Sequence, residues 1–166
     1  MITDHPLLKQ ACFIGGLWAH ADDGATIEVT NPATGERIGT VPRCGRTETA
    51  RAIEAAYLAF QEWKLTTAEE RAGLMQDLCD AIMDNHDDLA EILTTEMGKP
   101  LAEAKGEIAL GVKYVRFFAE QAKRIDGDII PSPWRGKRIL VTKEPVGVTG
   151  AITPWNFPHS MISRKL

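Results

Sequence analysis

Near one end the chain reads Ile152-Thr153-Pro154-Trp155-Asn156-Phe157-Pro158. A residue before proline is pushed out of the α region, and proline fixes its own φ. Thr153 and Phe157 are therefore held extended on either side of Asn156, and the loop is stiff by construction. The Asn156 carboxamide is neutral and carries two N–H donors. A neutral donor held stiffly beside apolar rings suits stabilisation of an oxyanion that develops during a reaction, because little reorganisation is left to do. Trp155 adds a flat apolar face on which a ring-shaped cofactor can pack. A purely structural reading competes: a Pro/aromatic turn in which Asn156 caps the following helix.

The other reactive residue types form no such constellation. Cys12, Cys44 and Cys79 are few, odd in number and widely spaced, and they match neither a disulfide framework nor a zinc pattern. Cys12 precedes a strand, Cys44 sits in a loop between Pro42 and Gly45, and Cys79 follows Leu78 on a helix. Each reads as a small packing or surface residue. His5, His20, His86 and His159 stand at no metal-ligand spacing, so no metal site is expected, and only His159 lies close to the loop. The acidic residues of 84–91 read as a solvated helix start. No GxGxxG string occurs.

The elements that must position the loop follow from periodicity. Short strands and turns are predicted over 12–41: a Gly15-Gly16 turn between apolar residues, an alternating Ile27–Thr30, a turn over Asn31–Gly35, and a strand from Arg37 to Val41. Ala50, Ile53, Tyr57 and Phe60 predict an amphipathic helix over 47–63. Thr67-Ala68-Glu69-Glu70 is a capping box, and the helix it opens carries Leu74, Leu78 and Ile82 on one face. A third helix runs from near Asn85 to Met97, with Gly98 as a left-handed cap and Pro100 opening a fourth, long helix over 100–124. Ala104, Ile108, Gly111, Val115, Phe118 and Ala122 recur by four and three along it. Gly111 costs about 1 kcal/mol of helix propensity relative to Ala, which marks it as a point of close approach. Residues 125–137 read as loop. RILVT and VGVTGAI read as two strands bent at Pro145, and HSMISRKL as the start of a helix.

A length of 166 residues with 44% hydrophobic and 25% charged residues fits a soluble globular chain. Net charge is −4, and the small cluster Arg135, Lys137 and Arg138 reads as a solvated loop, so no nucleic-acid partner is expected. No apolar run approaches the roughly 18 residues of a membrane span. The N-terminal MITDHPLLKQ lacks the build of a secretory signal. Together with the sparse cysteines this predicts a reducing compartment, the cytoplasm.

PWNFP, the early NPATGE turn, the stretch EMGKPLAEAKGEI and the run KEPVGVTGAITPWNFPHSMISRK together resemble the aldehyde dehydrogenase superfamily over essentially the whole chain. The nearer likeness within it, carried by GKPLAEAKGEI and the MISRK ending, is to the succinate-semialdehyde dehydrogenases. The resemblance implies an α/β fold: the N-terminal part of the family's architecture, with an incomplete Rossmann-like cofactor domain. Residues 1–125 would supply its first strands and helices, 126–146 a strand excursion that joins an oligomerisation sheet, and 147–166 the first Rossmann-like strand, the PWNFP loop and a helix start.

The chemistry implied is NAD- or NADP-dependent oxidation of a small aldehyde by a cysteine nucleophile, with a glutamate-activated water releasing the thioester. Asn156 matches the family's oxyanion asparagine. Ile152, Thr153, Pro154, Trp155 and Asn156 match the segment lining the nicotinamide end of the cofactor. Arg164 matches the position where semialdehyde-type members place an arginine for the distal carboxylate, a pairing that the guanidinium fork suits. Lys165 matches a common lysine without an assigned role. The nucleophile and the general base match no residue here. The resemblance therefore implies a catalytically incomplete, inactive fragment of a homo-oligomeric enzyme that converts succinate semialdehyde to succinate. Glutarate semialdehyde, a neutral aldehyde, or a non-catalytic binding module are the alternatives. A half-built parallel sheet with an open edge would leave the chain alone poorly soluble or partly molten.

Overall fold

The computed structural model describes residues 5–166, and the part of the leader reading that rests on residues 1–4 lies outside them. β1 (Cys12–Ile14) and β2 (Leu17–Ala19) form a hairpin over Gly15-Gly16, with Phe13 opposite Trp18 and their rings 5.1 Å apart. β3 (Thr26–Thr30) pairs antiparallel with β4 (Arg37–Pro42), with an irregularity at Val29/Thr30. The connecting turn is closed by Asn31, whose Oδ1 accepts from the Ala33 N–H at 2.8 Å.

Four helices follow: α1 (Arg46–Trp63), α2 (Ala68–Asp84), α3 (His86–Met97) and α4 (Leu101–Ala122). The capping box of α2 is present, with Glu70 N donating to Thr67 Oγ1 at 3.2 Å and Thr67 N donating to Glu70 Oε2 at 2.7 Å. α3 ends at Gly98, whose φ of 81° lies in the left-handed region. A Cβ there would also meet Pro32 Cγ of the β3–β4 turn at 2.9 Å, so glycine is required twice over. This turn delivers Lys99 to the start of α4.

α4 is the hub. It buries Ala104, Glu107, Ile108, Gly111, Val112, Val115 and Ala119 against α2, α3 and a last short helix, α5 (Pro158–Ser163). Its stripe passes through Ala119, and the expected Phe118 is instead exposed. α2 differs in the same way. Its inward row is Ala72, Met75, Cys79 and Ile82, while Leu74 and Leu78 face outward. Both rows repeat at helical spacing, and only contact with α4 selects one. The Ile53/Tyr57 face of α1 is exposed.

Residues 125–137 are not all loop. β5 (Asp128–Pro131) pairs with β6 (Arg138–Val141) in an antiparallel hairpin. Pro131 ends the strand, where its missing N–H costs no ladder bond. No strand forms over 142–154, and Val146 and Ile152 are more than nine-tenths exposed. VGVTGAI has strand composition, but a strand needs a ladder partner, and the described sheets are three separate two-stranded pairs.

Candidate functional site

The PWNFP loop is anchored from below by an ion pair. Lys99, between α3 and α4, and Glu107, two turns into α4, are both buried. Lys99 Nζ stands 2.5 Å from Glu107 Oε2, donates to the Asn156 carbonyl at 2.9 Å, and lies 3.8 Å from the centre of the Phe157 ring. An ammonium has three protons, and these three neighbours are its complement: a carboxylate, a carbonyl and an aromatic face.

The second oxygen of Glu107 does different work. Oε1 accepts from His159 N at 2.9 Å and from Ser160 N at 3.2 Å. These are the second and third N–H groups of α5, and Pro158 in first position has none to offer. The N-cap residue of α5 is Phe157, which supplies no side-chain cap. Glu107 thus does, from another helix, what the competing reading assigned to Asn156. Its negative charge also offsets the positive end of the α5 dipole.

The loop keeps the stiffness its prolines demand. Phe157 has φ −140° and ψ 67°, outside the α region, as Pro158 requires. Asn156 has its carbonyl held by Lys99, while its carboxamide is exposed and bonds to no group among the described residues. Thr153 is half-buried, whereas Ile152, Pro154 and Trp155 are exposed, Trp155 by 78%.

His159 follows the loop and packs against α4 at Gly111. A Cβ on Gly111 would run into the imidazole and would lie 2.9 Å from Ser163 Oγ. Close approach is therefore the reason for the glycine. Burial pushes the His159 pKa down, against the opposing pull of the Glu107 carboxylate, so the ring is neutral at pH 7. Gly111→Ala gains about 1 kcal/mol of helix propensity but overpacks a seam whose neighbours are a ring and a helix, at a cost of about 1–3 kcal/mol. A lower unfolding temperature is expected, and an unchanged or raised one would show that α5 slides freely on α4.

Two hollows flank the loop–helix unit. An apolar groove of about 670 Å³ runs beside Trp155, Pro158 and His159 and is closed by Val29, Ile92 and Met97. Burial raises the pKa of Glu96 on its wall. A second recess, about 540 Å³, lies at the other end of α5 between Arg164, Leu74, Leu78 and Phe118. Arg164 is the C-cap of α5, with its guanidinium carbon 5.8 Å from the Tyr114 ring centre. Lys165 Nζ donates to its own helix, at the Met161 carbonyl, 3.2 Å away.

The structure therefore places Ile152–Asn156 at the entrance of α5 and Arg164 at its exit. Sequence reasoning missed Lys99 and Glu107. A signal existed: Glu107 falls on the inward stripe of α4, between Ala104 and Gly111, where an unpaired acid is costly.

Comparison with known proteins then shows what the chain is similar to. The profile described as "Aldehyde dehydrogenase family" matches residues 18–166. The 3-sulfolactaldehyde dehydrogenase of Pseudomonas putida is 55% identical over 165 residues, covering 99% of this chain and 34% of that protein. A glutarate-semialdehyde dehydrogenase of the same species is 55% identical over 164 residues, again covering 99% and 34%. The crystal structure of succinate-semialdehyde dehydrogenase from Burkholderia pseudomallei superposes with a TM-score of 0.94 at 56% identity, over 98% of this chain and 34% of that one. The fold is thus the mixed helix-and-strand N-terminal part of such structures, and the chain spans about a third of the length of these relatives.

Proposed function

Because the chain belongs to the aldehyde dehydrogenase family, we propose that it contributes the oxyanion-binding loop of an NAD- or NADP-dependent enzyme. That enzyme oxidises an aldehyde with a distal anionic group to the carboxylate. Succinate semialdehyde going to succinate is the first reading, and glutarate semialdehyde the alternative. The observation that carries it is the division of labour at Asn156: a backbone pinned by the buried Lys99–Glu107 pair and a side chain left free.

When a nucleophile adds to an aldehyde carbon, negative charge gathers on the carbonyl oxygen. The Asn156 N–H donors meet that charge without rearranging the loop. The end of the α5 dipole is not free for this work, since Glu107 already occupies its leading N–H groups. The neutral side chain is the donor that remains. Ile152, Thr153, Pro154 and Trp155 are uncharged, and the exposed faces of Ile152 and Trp155 fit the planar end of a nicotinamide. That cofactor, when bound, supplies the hydride acceptor. The nucleophilic cysteine and the water-activating glutamate that the reaction needs match none of these 166 residues. The activity is therefore proposed for a protein of its relatives' length, with this chain alone inactive.

The substrate class rests on chemistry shared by the named relatives. Sulfolactaldehyde carries a sulfonate, and the two semialdehydes carry carboxylates, each remote from the aldehyde. Arg164 suits either anion. Six residues of α5 span about 9 Å, and helical side chains lean toward the N-terminus. Arg164 stands at the exit, its guanidinium beside Tyr114, one short helix from the loop. The β5–β6 hairpin, with Ile129 and Leu140 both over 70% exposed, is read as the strand pair that joins a second copy.

The test is a steady-state assay at full length with NAD⁺ and NADP⁺. Succinate semialdehyde, glutarate semialdehyde and butanal are compared. The anionic aldehydes are expected to lead in kcat/KM. Arg164→Ala is expected to erase that lead by raising KM about 10–100-fold, the worth of one charge-assisted pair. An Arg164→Ala enzyme that keeps its preference for the acids would remove Arg164 from the substrate site. Failure to oxidise any of the aldehydes with either cofactor would sink the proposal and favour the binding-module alternative.

A further inference from the structure

Cys12 and Cys44 are 32 positions apart in sequence, yet their sulfurs stand 3.7 Å apart. Cys12 opens β1, and Cys44 immediately precedes Gly45, the N-cap of α1. Both are half-buried, and Cys44 also borders a polar recess of about 440 Å³ lined by Asp22, Asp23 and Arg43. Cys79 is different. It is fully buried between α2 and α4, with its sulfur 3.7 Å from the Val112 carbonyl.

From this arrangement we propose that Cys12 and Cys44 form an oxidisable dithiol, a site at which a hydroperoxide converts two free thiols into an intrachain disulfide. A disulfide has its sulfurs about 2.05 Å apart, so closure needs about 1.7 Å of approach. Small rotations about the two Cα–Cβ bonds are the route to it. The balance is complete with one peroxide. One thiolate attacks a peroxide oxygen, the O–O bond breaks, and a sulfenic acid and hydroxide form. The second sulfur then attacks the sulfenic sulfur and expels the hydroxyl group. Two sulfurs are oxidised, one peroxide is reduced, and the hydrogens leave in two waters.

The surroundings set when this happens. Burial raises the Cys44 thiol above its ordinary pKa, and the adjoining Cys12 and the Glu48 carboxylate act in the same direction, against Arg51. Cys44 therefore rests as a thiol near neutral pH, and its oxidation quickens as pH rises. Glu48 cannot swing away to relieve this. It is buried and accepts from Asp22 N and Gly45 N, both at 2.8 Å. Nor can the start of α1 drift easily, because Arg51 grips Asp22 with two bonds of 2.7 and 2.8 Å. The two thiols are thus presented to each other by a fixed frame. The bond would enclose β1 to β4 in one ring and tie the first hairpin to α1.

The experiment treats the native full-length protein with stoichiometric hydrogen peroxide at pH 7 and pH 8.5, alkylates the remaining thiols, digests it and reads peptide masses. A cross-linked peptide pair holding Cys12 and Cys44, lighter by two hydrogens, reversed by dithiothreitol and formed faster at pH 8.5, is the expected result. Cys79 should be alkylated only after denaturation. Cys12→Ser should leave Cys44 without the cross-link, and Cys44→Ser is the parallel check should the first variant fold poorly. Independent alkylation or over-oxidation of Cys12 and Cys44 without the linked pair overturns the proposal, as does a disulfide found only between molecules.

Discussion

Replacing Glu107 with alanine is expected to cost about 3–5 kcal/mol of stability, the range for removing one partner of a buried ion pair. The Lys99 ammonium would stay buried with only the Asn156 carbonyl and the Phe157 ring beside it. His159 N and Ser160 N would lose their acceptor as well. Glu107→Gln should cost less, because an amide oxygen still accepts from α5 even though the charge facing Lys99 is gone. The combination Glu107→Leu with Lys99→Met separates two roles. Removing both charges together leaves no orphaned ion, so the double variant should lose less stability than the two single losses add up to. Loop position should not recover, because no donor then holds the Asn156 carbonyl. Thermal unfolding and kcat, measured on the same four proteins, read these roles separately. A Glu107→Ala protein as stable as the parent would mean that Lys99 escapes to solvent and that the pair is not a fastener.

The pair also marks the boundary of what the sequence discloses. Local devices were legible. The Thr67–Glu70 box, the left-handed Gly98 and the stiffness around Asn156 depend on residues within a few positions of one another. Gly111 was legible as a point of close approach, since a glycine on an apolar stripe signals a neighbour, though not that the neighbour is the His159 ring. What failed was the choice among equal local options. Leu74/Leu78 and Met75/Cys79 are both acceptable rows on α2, and packing against α4 decides between them. Contacts between distant positions gave no periodic signal: Glu107 reaches His159 across 52 positions, and Cys12 reaches Cys44 across 32. The reading of VGVTGAI as strand shows the reverse limit. β composition records fitness for a sheet, whereas a strand also requires a neighbour, and none pairs with 146–152 among the described residues. The stiffness of the loop was legible because it is written in its prolines, and Phe157 keeps the extended conformation that Pro158 requires.

Asn156→Ala should behave oppositely to Glu107→Ala. The carboxamide is exposed and meets no partner among the described residues, so its removal should change stability by less than about 0.5 kcal/mol. The effect belongs in the rate. Loss of one oxyanion donor lowers kcat by about 10²–10³-fold, or roughly 2.7–4 kcal/mol of transition-state stabilisation. KM should move little, because the charge that Asn156 meets exists only once the carbonyl has been attacked. Asn156→Asp is the sharper variant. It keeps the size and the loop but sets a negative charge where negative charge develops, and it should fall below alanine. Were Asn156→Ala to raise KM with kcat intact, the carboxamide would be binding the ground state, and the stiff loop would serve recognition instead of catalysis. Were it instead to melt the fold, the asparagine would be structural after all. The contrast rests on one residue whose carbonyl is held from beneath by Lys99 and whose side chain meets no partner among the described residues.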